Sequence, residues 1–317
     1  MDKSRLLKKG FQVLRVLIPV ILIWWLLSQV DWRSIWPLMQ NISWPLLLVS
    51  VTLFSASEVV IAVRWRFLLR FQQIEVPFTK LLGLVFVGIF VSNFLPTTVG
   101  GDVVKMVGVA QERKGRAVVV ASVVADRLYN LAGMFFLLPL AITLKSVPFF
   151  TMEGRSNWLS SAVLLAWLSS WPEIAVRARR TWNAVRTWFI SPRCVLAALM
   201  FSWLSIGLAF SSFWMVTLAL GVSISYWQAS AVAMLSYFIA LIPIAINGLG
   251  VAEGSKVYFL ILQGVSLEQS VAAALIIRLV TLFVSLFGGL RLAWGWRGLL
   301  SVTDVPIEIQ TEEKDQK

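Results

Sequence analysis

Six times the sequence runs apolar for long enough to cross a bilayer, and twice it begins such a run and breaks it off. The uninterrupted runs are Phe11–Val30, Asn41–Val63, Ala117–Leu144, Trp158–Val176, Cys194–Leu220 and Val271–Trp296. In the first broken run, Lys80–Leu95 meets Pro96 and the chain restarts at Gly100–Gly101 with Asp102–Gln111. These arms would make about 24 Å and about 15 Å of helix, short of a hydrocarbon core of about 30 Å. The second broken run repeats the pattern with Gln228–Ile242, then "PIAINGLG" from Pro243 to Gly250, then Val251–Gln263. Irregular backbone at membrane depth is tolerated only where protein or water satisfies its polar groups. The sequence therefore predicts an all-α polytopic membrane protein that encloses two breaks.

Composition narrows the chemistry. Charged residues are 14% of the chain and mean hydropathy is +0.81, where soluble domains carry about 25% charged residues. There is no histidine and a single cysteine, Cys194. That excludes an intrachain disulfide and a His-based triad, and leaves no ligand set for zinc. No metal or other cofactor is expected. The first run follows Lys3, Arg5, Lys8 and Lys9 and has no small-residue cleavage site after it, so it reads as a retained helix.

Charge distribution chooses the topology. With both broken runs re-entrant, the chain makes six crossings and both termini share one side. That side receives the N-terminal cluster, Arg64/Arg66/Arg70/Lys80, Arg113/Lys114/Arg116, Arg177/Arg179/Arg180/Arg186/Arg193 and the C-terminal bases. Only Arg33, Lys145 and Arg155 fall opposite. Were both runs to span, the five-arginine loop would lie outside, against the positive-inside rule. The expected location is the inner cell membrane with both termini cytoplasmic. The net charge of +12 then reads as cytoplasmic-face anchoring, and no nucleic-acid partner is expected.

The halves also repeat. A shift of 151 residues lays Asn41–Val63 on Pro192–Trp214, Asp102 on Glu253, Lys105 on Lys256 and Arg127 on Arg278. The organisation predicted is a first membrane repeat, 1–150, with its hairpin at 80–112, and a second, 151–300, with its hairpin at 228–263. A disordered cytoplasmic tail, 301–317, follows. Because one hairpin enters from the cytoplasm and the other from outside, the repeats are inverted, an architecture of transporters.

A helix restarting at Gly100–Gly101, or near Gly248–Gly250, offers N–H groups and a positive dipole end, and glycines let an anion approach closely. Eight ionisable residues fall in or near the hydrocarbon: Glu58, Asp102, Lys105, Asp126, Arg127, Glu253, Lys256 and Arg278. A charge at the bilayer centre costs about 2.5–3.5 kcal/mol on insertion scales, so they must face inward. Two readings stand. Four acids against four bases pin helices to one another, with Glu58, Pro96 and Pro243 structural and Asp126 leaning the same way. Or the repeated set binds substrate: Arg127 and Arg278 as guanidinium forks for phosphate, Lys105 and Lys256 as point charges, Asp102 and Glu253 orienting them or binding a cation. The formal balance of zero leaves anionic and zwitterionic headgroups open.

Other features take plainer readings. Trp24, Trp25, Trp32, Trp36, Trp44, Trp158, Trp171, Trp182, Trp188, Trp294 and Trp296 read as interfacial anchors. Glu173–Arg193 reads as an interfacial amphipathic helix, and Gly288–Gly289 as a close-packing site.

At these residues the sequence resembles a known family. "NFLPTTVGGDVVK", "ASVVADRLYNLAG", "PIAINGLGVAEGS" and "IIRLVTLFVSLFGG" resemble the lysylphosphatidylglycerol synthetase transmembrane, or flippase-like, family over roughly residues 10–300. The resemblance places the family's motif positions on Pro96, Gly100, Gly101, Asp102, Asp126, Arg127, Gly248, Gly250, Glu253 and Arg278. It implies membrane lipids as partners and movement of a phosphate-containing headgroup between leaflets. The sequence carries no soluble aminoacyltransferase segment, so synthesis of an aminoacyl lipid is not expected, and the protein is read as a non-enzyme. The competing readings are an accessory subunit of a lipid-synthesis or glycosylation enzyme, and an intramembrane lipid-linked transferase using Asp102, Asp126 and Glu253.

Overall fold

A computed structural model describes residues 32–94, 100–110, 116–144, 188–241 and 249–293. Among the described residues there is no strand. The helices are α1 (Trp32–Gln40), α2 (Trp44–Phe71), α3 (Phe78–Phe94), α4 (Gly100–Ala110), α5 (Arg116–Phe136), α6 (Pro192–Ala219), α7 (Tyr226–Ala240), α8 (Val251–Leu262) and α9 (Leu267–Ala293), with a 3₁₀ turn at Leu138–Thr143. Four helices are long and apolar enough to cross a membrane: α2, α5 over Val118–Phe136, α6 and α9. The predicted spans Phe11–Val30 and Trp158–Val176 lie outside the described residues, as do Pro96, Pro243, Gly248, most of Glu173–Arg193 and the tail 301–317.

Two boundaries differ from the sequence reading. The span predicted as Asn41–Val63 continues to Phe71, so Arg64, Arg66 and Arg70 sit on helix, not in a loop. Trp65, Leu68 and Leu69 keep the helical period past Arg64 and are fully buried. The helix stops where Gln73 takes φ 59°, with Ile74 N–H donating to Leu69 O and Gln73 N–H to Arg70 O. The span predicted as Ala117–Leu144 ends at Phe136 and passes into the 3₁₀ turn. Pro139 cannot donate a helical N–H, and its ring crowds the carbonyl four residues back.

Both broken runs are helical hairpins. In the first, α4 folds back along α3: Gly101 lies against Gly88, and Gly108 against Leu84 farther down the pair. A side chain on Gly101 would strike the Gly88 carbonyl, so only hydrogen fits there. In the second, the start of α7 meets the end of α8, with Gln228 Nε2 donating to Gln263 Oε1 at 3.3 Å. Ser225 and Gln228 form a capping box that fixes where α7 begins.

The corresponding long helices of the two halves, α2 and α6, run antiparallel in close contact. Ser43 N–H donates to Ala219 O at 3.0 Å at one end, Ser50 and Ser212 share a hydroxyl contact of 2.9 Å, and the Phe67 and Phe201 rings lie 6.1 Å apart toward the other end. Small residues let these backbones approach. Each half's last helix then crosses to the other half's hairpin. Gly288 of α9 seats against the Phe86 backbone of α3, where a Cβ would overlap it, and Gly289 meets the Phe90 ring, as predicted for close packing. Phe135 of α5 packs on Phe238 of α7 at 5.3 Å.

The tryptophans divide. Trp36 and Trp44 are well exposed, as anchors at an interface would be. Trp188 is not one of them: it is fully buried, its Nε1–H donating to Leu68 O at 2.9 Å and its backbone carbonyl accepting from the Tyr129 hydroxyl at 3.0 Å. An acceptor for its N–H lets an indole leave the interface for the core.

Candidate functional site

The repeated acid and arginine meet in both halves. Asp102, in the first turn of α4, forms an ion pair with Arg127 of α5. Glu253, in the first turn of α8, lies near Arg278 of α9, with Oε1 and Nη1 3.8 Å apart. The same two positions thus tie each hairpin's second helix to the long helix that follows it. The carboxylates are buried, whereas the Arg127 side chain is 48% exposed and that of Arg278 19%.

The glycines at the restarts serve the protein itself. Gly101 N–H donates to Ser92 Oγ at 3.1 Å, and Gly250 N–H donates to Glu253 Oε2 at 2.7 Å. Gly250 takes φ 77°, which a residue with a side chain rarely adopts. These two donors, expected to be open toward an anion, are committed within the hairpins. The charge that remains for a ligand is carried by the basic side chains. Gly100 is also buried.

The lysines have different surroundings. Lys105 Nζ sits 5.8 Å from the centre of the Trp65 ring and in the field of Glu58. Lys256 Nζ donates to Ala252 O of its own helix at 3.3 Å and lies in the fields of Glu253 and Arg278.

Asp126 looks away from its neighbour Arg127. It binds Arg64 Nε at 2.6 Å, and Arg64 Nη1 donates to Ser202 Oγ at 2.7 Å, whose hydroxyl donates to Ala198 O at 2.8 Å. Arg64 is 2% exposed, so the assignment of Arg64 to the cytoplasmic basic cluster is corrected. The signal was present in the sequence. Asp126 has no base three or four residues away on its own helix, so its partner had to come from another. This network joins α2, α5 and α6 and gives Asp126 a structural partner. Tyr237 of α7 was also missed; it stands in the fields of Arg127, Arg64 and Asp102 and brings the second hairpin to the first half's charges.

The family described as the lysylphosphatidylglycerol synthase TM region matches residues 12–289. The UPF0104 membrane protein PH1989 of Pyrococcus horikoshii is 23% identical over 323 residues, covering 88% of this chain and 94% of that protein.

Proposed function

The chain belongs to the lysylphosphatidylglycerol synthase transmembrane family, and from that premise we propose that it is a lipid transporter moving a phosphate-containing headgroup between leaflets. The supporting observation is the ion pair that recurs at the start of both hairpins' second helices, Asp102 with Arg127 and Glu253 with Arg278. In this reading the hairpins are re-entrant, the halves are inverted repeats with six crossings, and both termini are cytoplasmic in the inner membrane. The antiparallel pairing of α2 with α6 supports the inversion, since equivalent helices of inverted repeats run in opposite directions.

The mechanism follows from the cost of buried charge. An arginine left unpaired at membrane depth is expensive, so in the empty state a carboxylate holds it. A phosphate can take the carboxylate's place because it offers the same planar fork the same acceptors. The headgroup exchanges one ion pair for another while its acyl or isoprenoid chains stay in lipid. Rocking of one half against the other would open the site to each leaflet in turn. The binding set is Gly100, Gly101, Asp102, Lys105, Asp126, Arg127, Gly248, Gly250, Glu253, Lys256 and Arg278, with Asp126 acting through Arg64 and the glycines through hairpin shape.

The test is lipid translocation in proteoliposomes. Arg127→Ala and Arg278→Ala should each slow it by about tenfold or more, the loss of one charge-assisted contact, while each still elutes at the parent's volume as a folded protein. Parent rates in both variants would remove the mechanism. If a lipid-synthesis or glycosylation enzyme also copurified, the accessory-subunit reading would replace it.

A further inference from the structure

Burial of Arg64 changes the charge count on which the choice of headgroup turned. With Arg64 added to the ionisable residues placed in or near the hydrocarbon, the first half holds three of the acids, Glu58, Asp102 and Asp126, and three of the bases, Arg64, Lys105 and Arg127. The second half holds one of the acids, Glu253, and two of the bases, Lys256 and Arg278. The positions that correspond to Arg64 and Asp126 under the 151-residue shift are Met215 and Ile277, so the second half lacks the buried pair altogether. The predicted balance of zero becomes one excess positive charge, and it sits in the second half.

Geometry makes the same distinction. Arg127 is ion-paired with Asp102, and Arg64 makes charge-assisted contacts to Asp126 and Ser202. The Glu253 carboxylate has one oxygen taken by Gly250 N–H, and its other oxygen is 3.8 Å from Arg278, beyond hydrogen-bond length. Among the described residues Arg278 has no hydrogen-bond acceptor, and the ammonium of Lys256 has only a carbonyl of its own helix. Among the described residues, then, a mostly buried guanidinium beside a second cation is left without a hydrogen-bonded oxyanion.

We propose that Lys256 and Arg278 form the seat of the ligand's anionic group, and that the preferred headgroup carries one net negative charge, as a phosphodiester without a compensating amine does. The proposal rests on the lipid-transport reading. The first hairpin's balanced cluster then closes over the ligand without contributing net charge. A zwitterionic headgroup brings the same phosphodiester but adds a cation to a site already one positive charge in excess, and so binds less well.

The experiment uses the full-length chain in nanodiscs of equal phosphatidylglycerol and phosphatidylcholine, with retained lipid read by native mass spectrometry after release. The parent should retain phosphatidylglycerol about tenfold over phosphatidylcholine, the scale of one charge-assisted contact. Arg278→Gln should abolish that preference and Lys256→Gln should weaken it, while Arg70→Gln, an exposed base outside the binding set, keeps it. Equal retention by the parent, or equal loss in Arg70→Gln and Arg278→Gln, would overturn the assignment. Should Arg278→Gln fail to fold, the parent's preference and Lys256→Gln decide alone. Displacement of lipid by millimolar inorganic phosphate supports the anion seat but makes a free anion the ligand. A retained preference without translocation supports the seat and rejects the transport reading.

Discussion

The two hairpin units carry the same acid, lysine and arginine at the same spacing, yet they hold them differently. In the first, Arg127 is ion-paired with Asp102, and Arg64 with Asp126 locks α2 to α5. In the second, Ile277 and Met215 occupy the corresponding positions, and Glu253 divides its oxygens between a backbone cap and a guanidinium 3.8 Å away. The two acid–arginine pairs match in position, but among the described residues only the first has a second, buried ion pair beside it in sequence, Arg64 with Asp126.

Substitutions that treat the halves alike should therefore give unequal results. Asp126→Ala leaves Arg64 buried without its carboxylate and should cost about 3–5 kcal/mol, whereas Ile277→Val at the matching position should cost about 0.5–1.5 kcal/mol. Denaturation monitored on the purified protein checks both. Equal losses would mean the Arg64 network does not set the two halves apart. Next in size is Gly288→Ala, which drives a methyl into the Phe86 backbone and should cost about 1–3 kcal/mol. Gly254 of α8 has open space where a Cβ would stand, and Gly254→Ala should instead stabilise by about 0.5–1 kcal/mol. Thermal melts of the pair should shift in opposite directions.

A smaller contrast lies at the ends of α2 and α6. Both close with the same pair of backbone hydrogen bonds, but the left-handed residue is Gly221 in one and Gln73 in the other. Gln73→Gly should raise stability by up to about 1 kcal/mol by relieving a side chain at positive φ, less the entropy that glycine loses on folding. Gly221→Gln should lower it. Melting temperatures that moved together would show that the loop context, not the backbone conformation, governs these ends.

Much of this architecture was legible because lipid leaves so few options. Pro96 and Pro243 marked arms too short to cross, and the shared spacing of Asp102/Arg127 and Glu253/Arg278 paired residues that the structure brings near each other. What failed did so for local reasons. Arg64 stands beside Arg66 and Arg70, so it looked like part of an interfacial cluster; only an acid on another helix, Asp126, draws it inward. Trp188 looked like an anchor because its polar partners, Leu68 O and Tyr129, are remote in sequence. The restart glycines signalled open donors, but Ser92 and Glu253 claim them, a competition that spacing alone does not reveal.

In the proposed topology the hairpins enter the membrane from opposite faces. Single cysteines placed at the hairpin bases in a Cys194→Ser background, Glu75→Cys for the first and Ser223→Cys and Ser266→Cys for the second, can be labelled with a membrane-impermeant thiol reagent in intact cells and in inverted vesicles. Glu75→Cys should react only from the cytoplasmic face, and Ser223→Cys and Ser266→Cys should both react only from outside. Labelling of all three from one face, or of Ser223→Cys and Ser266→Cys from different faces, would contradict that topology.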